Sequence, residues 1–175
     1  MSYTKSEIAL IEKAISFLVK QYSITGFNKK PVIFHSLKVA YSLIELNLDA
    51  EIIIAAILHD LLEDSKVTSK QIQKNFNKDI ARLVEAVSFN PYIKDKEEQY
   101  IEMFIRTKKA GFPALAVKCA DLLDNSNYYQ FERNKKSKKL LLDKLSYFLK
   151  ISKEELKDFL LYKELNSVYK KQKHN

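Results

Sequence analysis

Four residues that commonly bind metal ions lie in stretches of the chain that are otherwise apolar. His35 lies in VIFHSLKVA, His59 and Asp60 close the run IIIAAILHD, and Asp121 lies in VKCADLL. A buried charge is costly unless it is paired or bound to a cation. Two imidazoles and two carboxylates also make a mixed nitrogen and oxygen donor set that suits manganese, iron or zinc. The sequence therefore predicts one metal site formed by these four side chains.

The alternative for each of these residues, taken singly, is a hydrogen-bonded core position without a metal. The remaining histidine, His174, lies near the C-terminus, so both internal histidines belong to the predicted site. His59 and Asp60 are adjacent and would project about 100° apart on a helix. We therefore expect the ion at a junction between helices.

Two further acidic residues, Glu63 and Asp64, follow His59 and Asp60 by one helical turn. Positions four apart share a helix face, so these carboxylates would lie beside the metal. There they could take a proton from a metal-bound water and donate one to a leaving oxygen. The alternative is an acidic helix end that faces solvent. Together with the preceding pair, the pattern favours hydrolysis of a phosphate ester.

These residues resemble the HD-domain metal-dependent phosphohydrolases. The run HDLLED resembles the hydrolase domain of RelA/SpoT-type alarmone enzymes and their small single-domain relatives of the metazoan-homologue type. PVIFHSLKVA is similar to that group's segment Pro-Tyr-Ile-x-His-Pro-x-x-Val-Ala, and VKCADLLDN to its segment Val-Lys-Leu-Ala-Asp-Arg-Leu-His-Asn. The resemblance covers roughly residues 5–130.

The resemblance implies a metal, a reaction and roles for individual residues. It implies one Mn²⁺ ion, although another divalent metal remains open, held by the four residues named first. Glu63 and Asp64 are implied to activate and orient the attacking water, and Asn125 to contact the nucleotide. The implied reaction is hydrolysis of the 3′-diphosphate of guanosine tetra- or pentaphosphate, which gives GDP or GTP and diphosphate.

Two segments differ from the family pattern on the nucleotide side. The family's Arg after Ala-Asp is Leu122 here, and its His is Asp124. The family's Arg-Lys-x-Gly motif before the proline is replaced by GFNKK at residues 26–30. We expect Lys29 or Lys30 to reach a phosphate of the substrate.

Two other functions remain open from the sequence. One is an HD-type 5′-nucleotidase or other nucleotide phosphatase, which would release orthophosphate instead of diphosphate. The other is a non-catalytic module that binds a nucleotide without turning it over. No activated serine or cysteine is evident, so a covalent intermediate is not expected.

The chain that must position these residues is predicted to be all-α and to form a single HD-type helical domain over residues 1–175. It has 175 residues, 46% of them apolar, with only 2 Gly and 3 Pro, a composition that favours long helices. Periodicity and capping residues predict helices at 5–22, 32–46, 51–64, 69–76, 79–88, 96–109, 113–125, 137–150 and 153–171. Capping residues are expected at Thr4–Glu7, Asp49, Thr68–Gln71, Asp95 and Ser152–Glu155.

Charge and targeting signals limit the partners that the sequence predicts. The net charge is +8, and residues 126–175 carry 13 Lys and Arg against 6 Asp and Glu. This basic helical pair, about 131–175, is interpreted as a solvated face, with a polyanion site as the alternative. No nucleic-acid-binding motif, signal-peptide pattern or membrane-spanning segment is recognisable. With Cys119 as the only cysteine, we expect a cytoplasmic protein; a homo-oligomer remains open.

Overall fold

Helices account for most of the residues that the computed structural model describes, which are 3–25 and 31–173. No β-strand occurs within these two ranges, so the predicted all-α fold class is confirmed. None of the helices there combines the length and hydropathy needed to cross a bilayer. The contacts divide the chain into two compact units, Met1–Ser88 and Phe89–Asn175. The single domain over residues 1–175 stays a prediction.

The first unit is built around one buried helix, α3. The helices of this unit are α1 (Lys5–Thr25), α2 (Val32–Glu45), α3 (Ala50–Leu58), α4 (Leu61–Asp64), α5 (Ser69–Asn75) and α6 (Lys78–Val87). α3 packs against α1, α2 and α6, and every residue of α3 except Glu51 is buried. An apolar helix without a polar face is expected at such a central position. This helix delivers the adjacent histidine and aspartate to the interior of the unit.

Capping residues mark the starts of two helices in this unit as predicted. Thr68 and Gln71 form the predicted capping box, in which the Gln71 backbone N–H donates to the Thr68 hydroxyl at 3.3 Å. Thr4 and Glu7 form the same arrangement before α1. Asp49 lies at the predicted N-cap of α3, but its side chain makes no capping hydrogen bond there.

The predicted helix over residues 51–64 is interrupted at His59 and Asp60, which is a correction. α3 ends just before His59, and α4 begins just after Asp60. The His59 carbonyl accepts a hydrogen bond from the Ser88 hydroxyl at 3.2 Å, while the Glu63 backbone N–H donates to the Asp60 carbonyl at 3.1 Å. A long-range hydrogen bond from the end of α6 therefore accompanies the break in the helical pattern at this pair.

The second unit is arranged around α8, the helix that carries Asp121. Its elements are α7 (Lys96–Lys109), α8 (Phe112–Ser126), a 3₁₀ turn (Tyr129–Phe131), α9 (Lys135–Leu156) and α10 (Leu160–Lys173). α8 packs against α7, α9 and α10. Gly111, at the N-cap of α8, has a φ of 85°, a conformation that glycine adopts without a side-chain clash. The Asp95 side chain caps α7 as predicted, accepting from the Glu98 N–H at 2.9 Å.

The predicted helix start at Ser152–Glu155 is wrong, because these residues lie inside α9. The Ser152 hydroxyl donates to the Phe148 carbonyl at 2.7 Å and is fully buried. A serine bonded to the preceding turn is compatible with a helix interior. Phe148 and Leu156 are also fully buried, so the apolar face continues through the serine, and the chain turns only after Leu156.

Candidate metal centre

Two imidazole rings meet inside the first unit, where α2 packs against α3. His35 lies in the first turn of α2, and His59 immediately follows α3. Their ring centroids are 5.2 Å apart, and a ring nitrogen of each lies within 4.8 Å of the other. His59 is 1% exposed and His35 is also buried. The two predicted histidine ligands are therefore brought together.

A backbone hydrogen bond sets the orientation of the His59 ring. Nδ1 lies 2.7 Å from the Ala56 carbonyl oxygen, and because that oxygen can only accept, Nδ1 carries the proton. In the neutral ring the lone pair is then on Nε2, which lies 3.2 Å from Oδ1 of Asp60. An N–H bonded to a backbone carbonyl is the usual way in which a metal-binding histidine is oriented.

The Asp60 carboxylate is shared between the two rings. Its Oδ1 lies toward His59, and its Oδ2 is 3.8 Å from Nε2 of His35. The carboxylate is buried, so its charge must be balanced by a cation or a proton. Two Nε2 atoms and a carboxylate facing one region are the donor types that a divalent transition metal takes. Two imidazole nitrogens and a buried carboxylate therefore lie close together in the first unit.

Glu63 and Asp64 lie on α4, directly beyond this group. Glu63 is exposed and Asp64 is half-buried, so both carboxylates can be reached by a molecule from solvent. The Asp64 backbone N–H donates to the Asp60 carbonyl at 2.9 Å, which ties this turn to the pair before it. The acidic pair is thus attached by backbone geometry to a proposed metal ligand.

Tyr22, on α1, is a buried neighbour of this group that the sequence analysis did not single out. Burial raises the pKa of its phenol, and the negative charges of Asp60, Asp64 and Glu63 raise it further. The hydroxyl therefore stays protonated and can donate a hydrogen bond at any physiological pH. Its polar tip on an otherwise apolar helix face was the only signal in the sequence.

Asp121, the fourth predicted ligand, lies buried on α8 in the second unit. Its Oδ2 is 2.9 Å from Nζ of Lys118, one turn before it, and the Asn125 amide donates to its Oδ1 from one turn after it. Neither residue was predicted from the sequence as a partner of Asp121, although the spacing of Lys118 and Asp121 in VKCAD could have indicated an ion pair. Both carboxylate oxygens of Asp121 are therefore held by side chains of its own helix.

The three predicted substrate-binding residues have different outcomes. Lys29 and Lys30 lie outside the described residues. Asn125 is described, and its amide contacts Asp121 as stated above. A contact of Asn125 with a nucleotide stays a prediction.

Tyr129 is a second buried tyrosine beside an acidic residue, here in the 3₁₀ turn after α8. Burial raises the pKa of its phenol most, followed by the charge of Asp121. Its hydroxyl finds no hydrogen-bond partner among residues 3–25 and 31–173. The Nζ of Lys144 lies 5.4 Å from the centroid of its ring. Nothing in the sequence pattern pointed to this residue.

Comparison with known proteins identifies relatives along most of the chain. The model of a family described as "HD domain" matches residues 14–145. A guanosine-3′,5′-bis(diphosphate) 3′-pyrophosphohydrolase of Aquifex aeolicus is 35% identical, over 74% of this chain and 20% of its own length. A probable enzyme of the same name from Mycoplasma genitalium is 30% identical, over 86% of this chain and 22% of its own length. The chain thus spans about a fifth of the length of these curated relatives.

Two solved structures have a similar fold. One, described as a metazoan ortholog of SpoT that hydrolyzes ppGpp, matches with a TM-score of 0.82 and 18% identity, over 98% of both chains. The other, a Listeria monocytogenes protein, matches with a TM-score of 0.64 and 21% identity, over 81% of this chain and 94% of that one. At these identities the likeness concerns the fold, and it confirms the predicted type of helical fold.

Proposed function

Because the chain belongs to the HD-domain family, we propose that it is a metal-dependent phosphohydrolase. Proteins of this family bind divalent metals. The ligands that we propose for the ion are His35, His59, Asp60 and Asp121. We propose manganese, as the resemblance to the alarmone hydrolases implies and as a mixed set of nitrogen and oxygen donors allows.

The observation that carries the proposal is the orientation of His59 toward Asp60. The bond from Nδ1 to the Ala56 carbonyl leaves Nε2 as the donor atom, and the carboxylate lies 3.2 Å from it. A neutral ring and a carboxylate would present lone pairs to each other, which is unfavourable unless a cation lies near both. Asp121 is supported by its position in the family motif and by its burial.

The reaction that we propose is attack of water on a phosphoryl group. A bound divalent metal would supply a lower pKa for the attacking water and a counter-charge for the phosphoryl oxygens. Glu63 and Asp64 would accept the proton of that water and deliver one to the leaving oxygen. The exposed position of Glu63 and the half-buried position of Asp64 suit groups that exchange protons with solvent.

The substrate that we propose is a guanosine 3′,5′-bis(diphosphate), cleaved at its 3′-diphosphate to give GDP and diphosphate. The support is that the Aquifex and Mycoplasma relatives, at 35% and 30% identity, carry the name of that activity. Lys29, Lys30 and Asn125 are proposed to bind it. A soluble nucleotide substrate and a single cysteine favour a cytoplasmic location.

Product analysis tests this function directly. The protein is freed of metal with a chelator, reloaded with Mn²⁺, and incubated with guanosine 3′,5′-bis(diphosphate) and with nucleoside 5′-monophosphates. We expect diphosphate and GDP from the first substrate, only with metal. Orthophosphate from the monophosphates would instead indicate a nucleotidase. No turnover in either preparation, with a ligand-induced rise in melting temperature, would indicate a binding module.

A further inference from the structure

Lys118 is a buried cation that the proposed reaction does not use. Both members of its ion pair with Asp121 are almost removed from solvent, with side-chain exposures of 6% and 8%. A lysine ammonium is rarely buried unless it is paired with an acid. At 2.9 Å, its Nζ lies at hydrogen-bond distance from the carboxylate, so each charge neutralises the other.

This pair supplies Asp121 with a positive charge in the absence of any metal. The Asn125 amide holds the other carboxylate oxygen, so the side chain is fixed from both sides along α8. A metal that binds either oxygen of Asp121 must therefore share the carboxylate with an ammonium a few ångströms away. Like charges at such a distance in a buried site raise each other's energy.

We propose that Lys118 competes with the metal ion for the Asp121 carboxylate, so that it neutralises this acid in the metal-free protein and weakens metal binding. This inference rests on the proposed role of Asp121 as a ligand. Lys118 is a positioning residue, because it acts on the proposed site through Asp121. The competition would let the second unit stay folded without metal and keep the bound metal exchangeable.

Replacing Lys118 by methionine tests the competition. Methionine retains most of the apolar stem but not the charge. The metal-free variant would contain a buried carboxylate without its cation, whereas the metal-loaded variant would be relieved of repulsion. Both changes favour the metal-bound form over the metal-free form, and the Asn125 amide still orients the carboxylate. We expect Lys118→Met to bind Mn²⁺ about tenfold more tightly or better, and to have a lower melting temperature than the parent only when metal-free.

The affinities are measured by competition with a coloured chelator, a readout that needs no substrate. Lys118→Arg retains the charge and should bind Mn²⁺ with the affinity of the parent protein. Arg106→Met is the matched control, because it removes a cation 2.9 Å from Glu102 in a partly exposed pair on α7. It should leave the affinity unchanged.

The outcomes separate this inference from the proposed function. If the parent protein binds no metal, the proposed metal site is wrong. If the parent binds metal and Lys118→Met binds it equally or more weakly, the competition is wrong and the metal site stands. If Lys118→Met does not fold, the inference is tested by NMR on the parent protein. The ¹⁵Nζ signal of Lys118 should then shift on saturation with diamagnetic Zn²⁺, and an unchanged signal would overturn the inference.

Discussion

One buried carboxylate in each unit, Asp60 in the first and Asp121 in the second, is balanced in a different way. In the first unit, Asp60 faces ring nitrogens of His35 and His59. In the second unit, Asp121 faces the ammonium group of Lys118 and the amide of Asn125. The first arrangement gains from an added cation, while the second is already neutral. The difference indicates that an added cation would stabilise the Asp60 carboxylate more than the Asp121 carboxylate.

The largest expected effect comes from removing the carboxylate that faces both imidazoles. In Asp60→Ala, we expect metal content after dialysis to fall to background, and turnover to fall by about 10³-fold or more. That exceeds the 10–100-fold typical of residues that only orient a ligand. Metal content is measured by elemental analysis. Asp79→Ala removes a carboxylate from an exposed pair with Arg82 and should change neither quantity. Full metal retention by the Asp60 variant would refute the ligand assignment.

A smaller effect is expected from the acidic residue next to the ligands. Glu63→Gln should keep the metal and lower the turnover rate by about 10²–10³-fold, because it removes a proton acceptor and leaves the proposed metal ligands in place. Elemental analysis and steady-state kinetics on the same preparation separate the two quantities. Glu12→Gln, on the exposed face of α1, is the control. Loss of metal in the Glu63 variant would make this residue a ligand.

Each unit also contains a buried tyrosine near an acid, and we expect both tyrosines to affect the stability of the protein at alkaline pH. Burial, followed by nearby acids, raises the pKa of Tyr22 and of Tyr129. Each then keeps its proton in the folded state at a pH where the unfolded chain has lost it, so stability falls as the pH rises above about 10. The expected slope is about 1.4 kcal/mol per pH unit for each tyrosine.

Denaturant unfolding of metal-free protein between neutral pH and pH 11 measures this slope. Tyr22→Phe and Tyr129→Phe should each make the decline less steep. Tyr92→Phe is the control, because Tyr92 is 88% exposed. If the free energy of unfolding declines as steeply in one of these two variants as in the parent, the tyrosine replaced there already ionises in the folded state.

Much of this organisation could be predicted because it depends on local patterns. The burial of His59 and Asp60 follows from the apolar helix before them, and the starts of α5 and α7 follow from capping residues. The interruption at His59 could not be predicted, because it accompanies a hydrogen bond from Ser88, which is distant in the sequence. For the hydrogen bonds that hold Asp121, the sequence shows only the residue spacing. The same spacing on an exposed helix would contribute little to stability, so it did not predict these bonds.

The smallest effect is expected at Ser152, where the sequence wrongly predicted a helix start. It is compared with the effect at Thr68, a threonine in the first unit. Thr68 accepts from the Gln71 N–H at a true N-cap, so Thr68→Ala should lower the free energy of unfolding by about 1 kcal/mol. Ser152 bonds to the carbonyl of Phe148 within α9. Since alanine has the higher helix propensity, Ser152→Ala should change that free energy by less than about 0.5 kcal/mol. Urea unfolding of both variants measures the difference. Equal losses of unfolding free energy would show that the Ser152 hydroxyl stabilises its helix as much as a capping residue does.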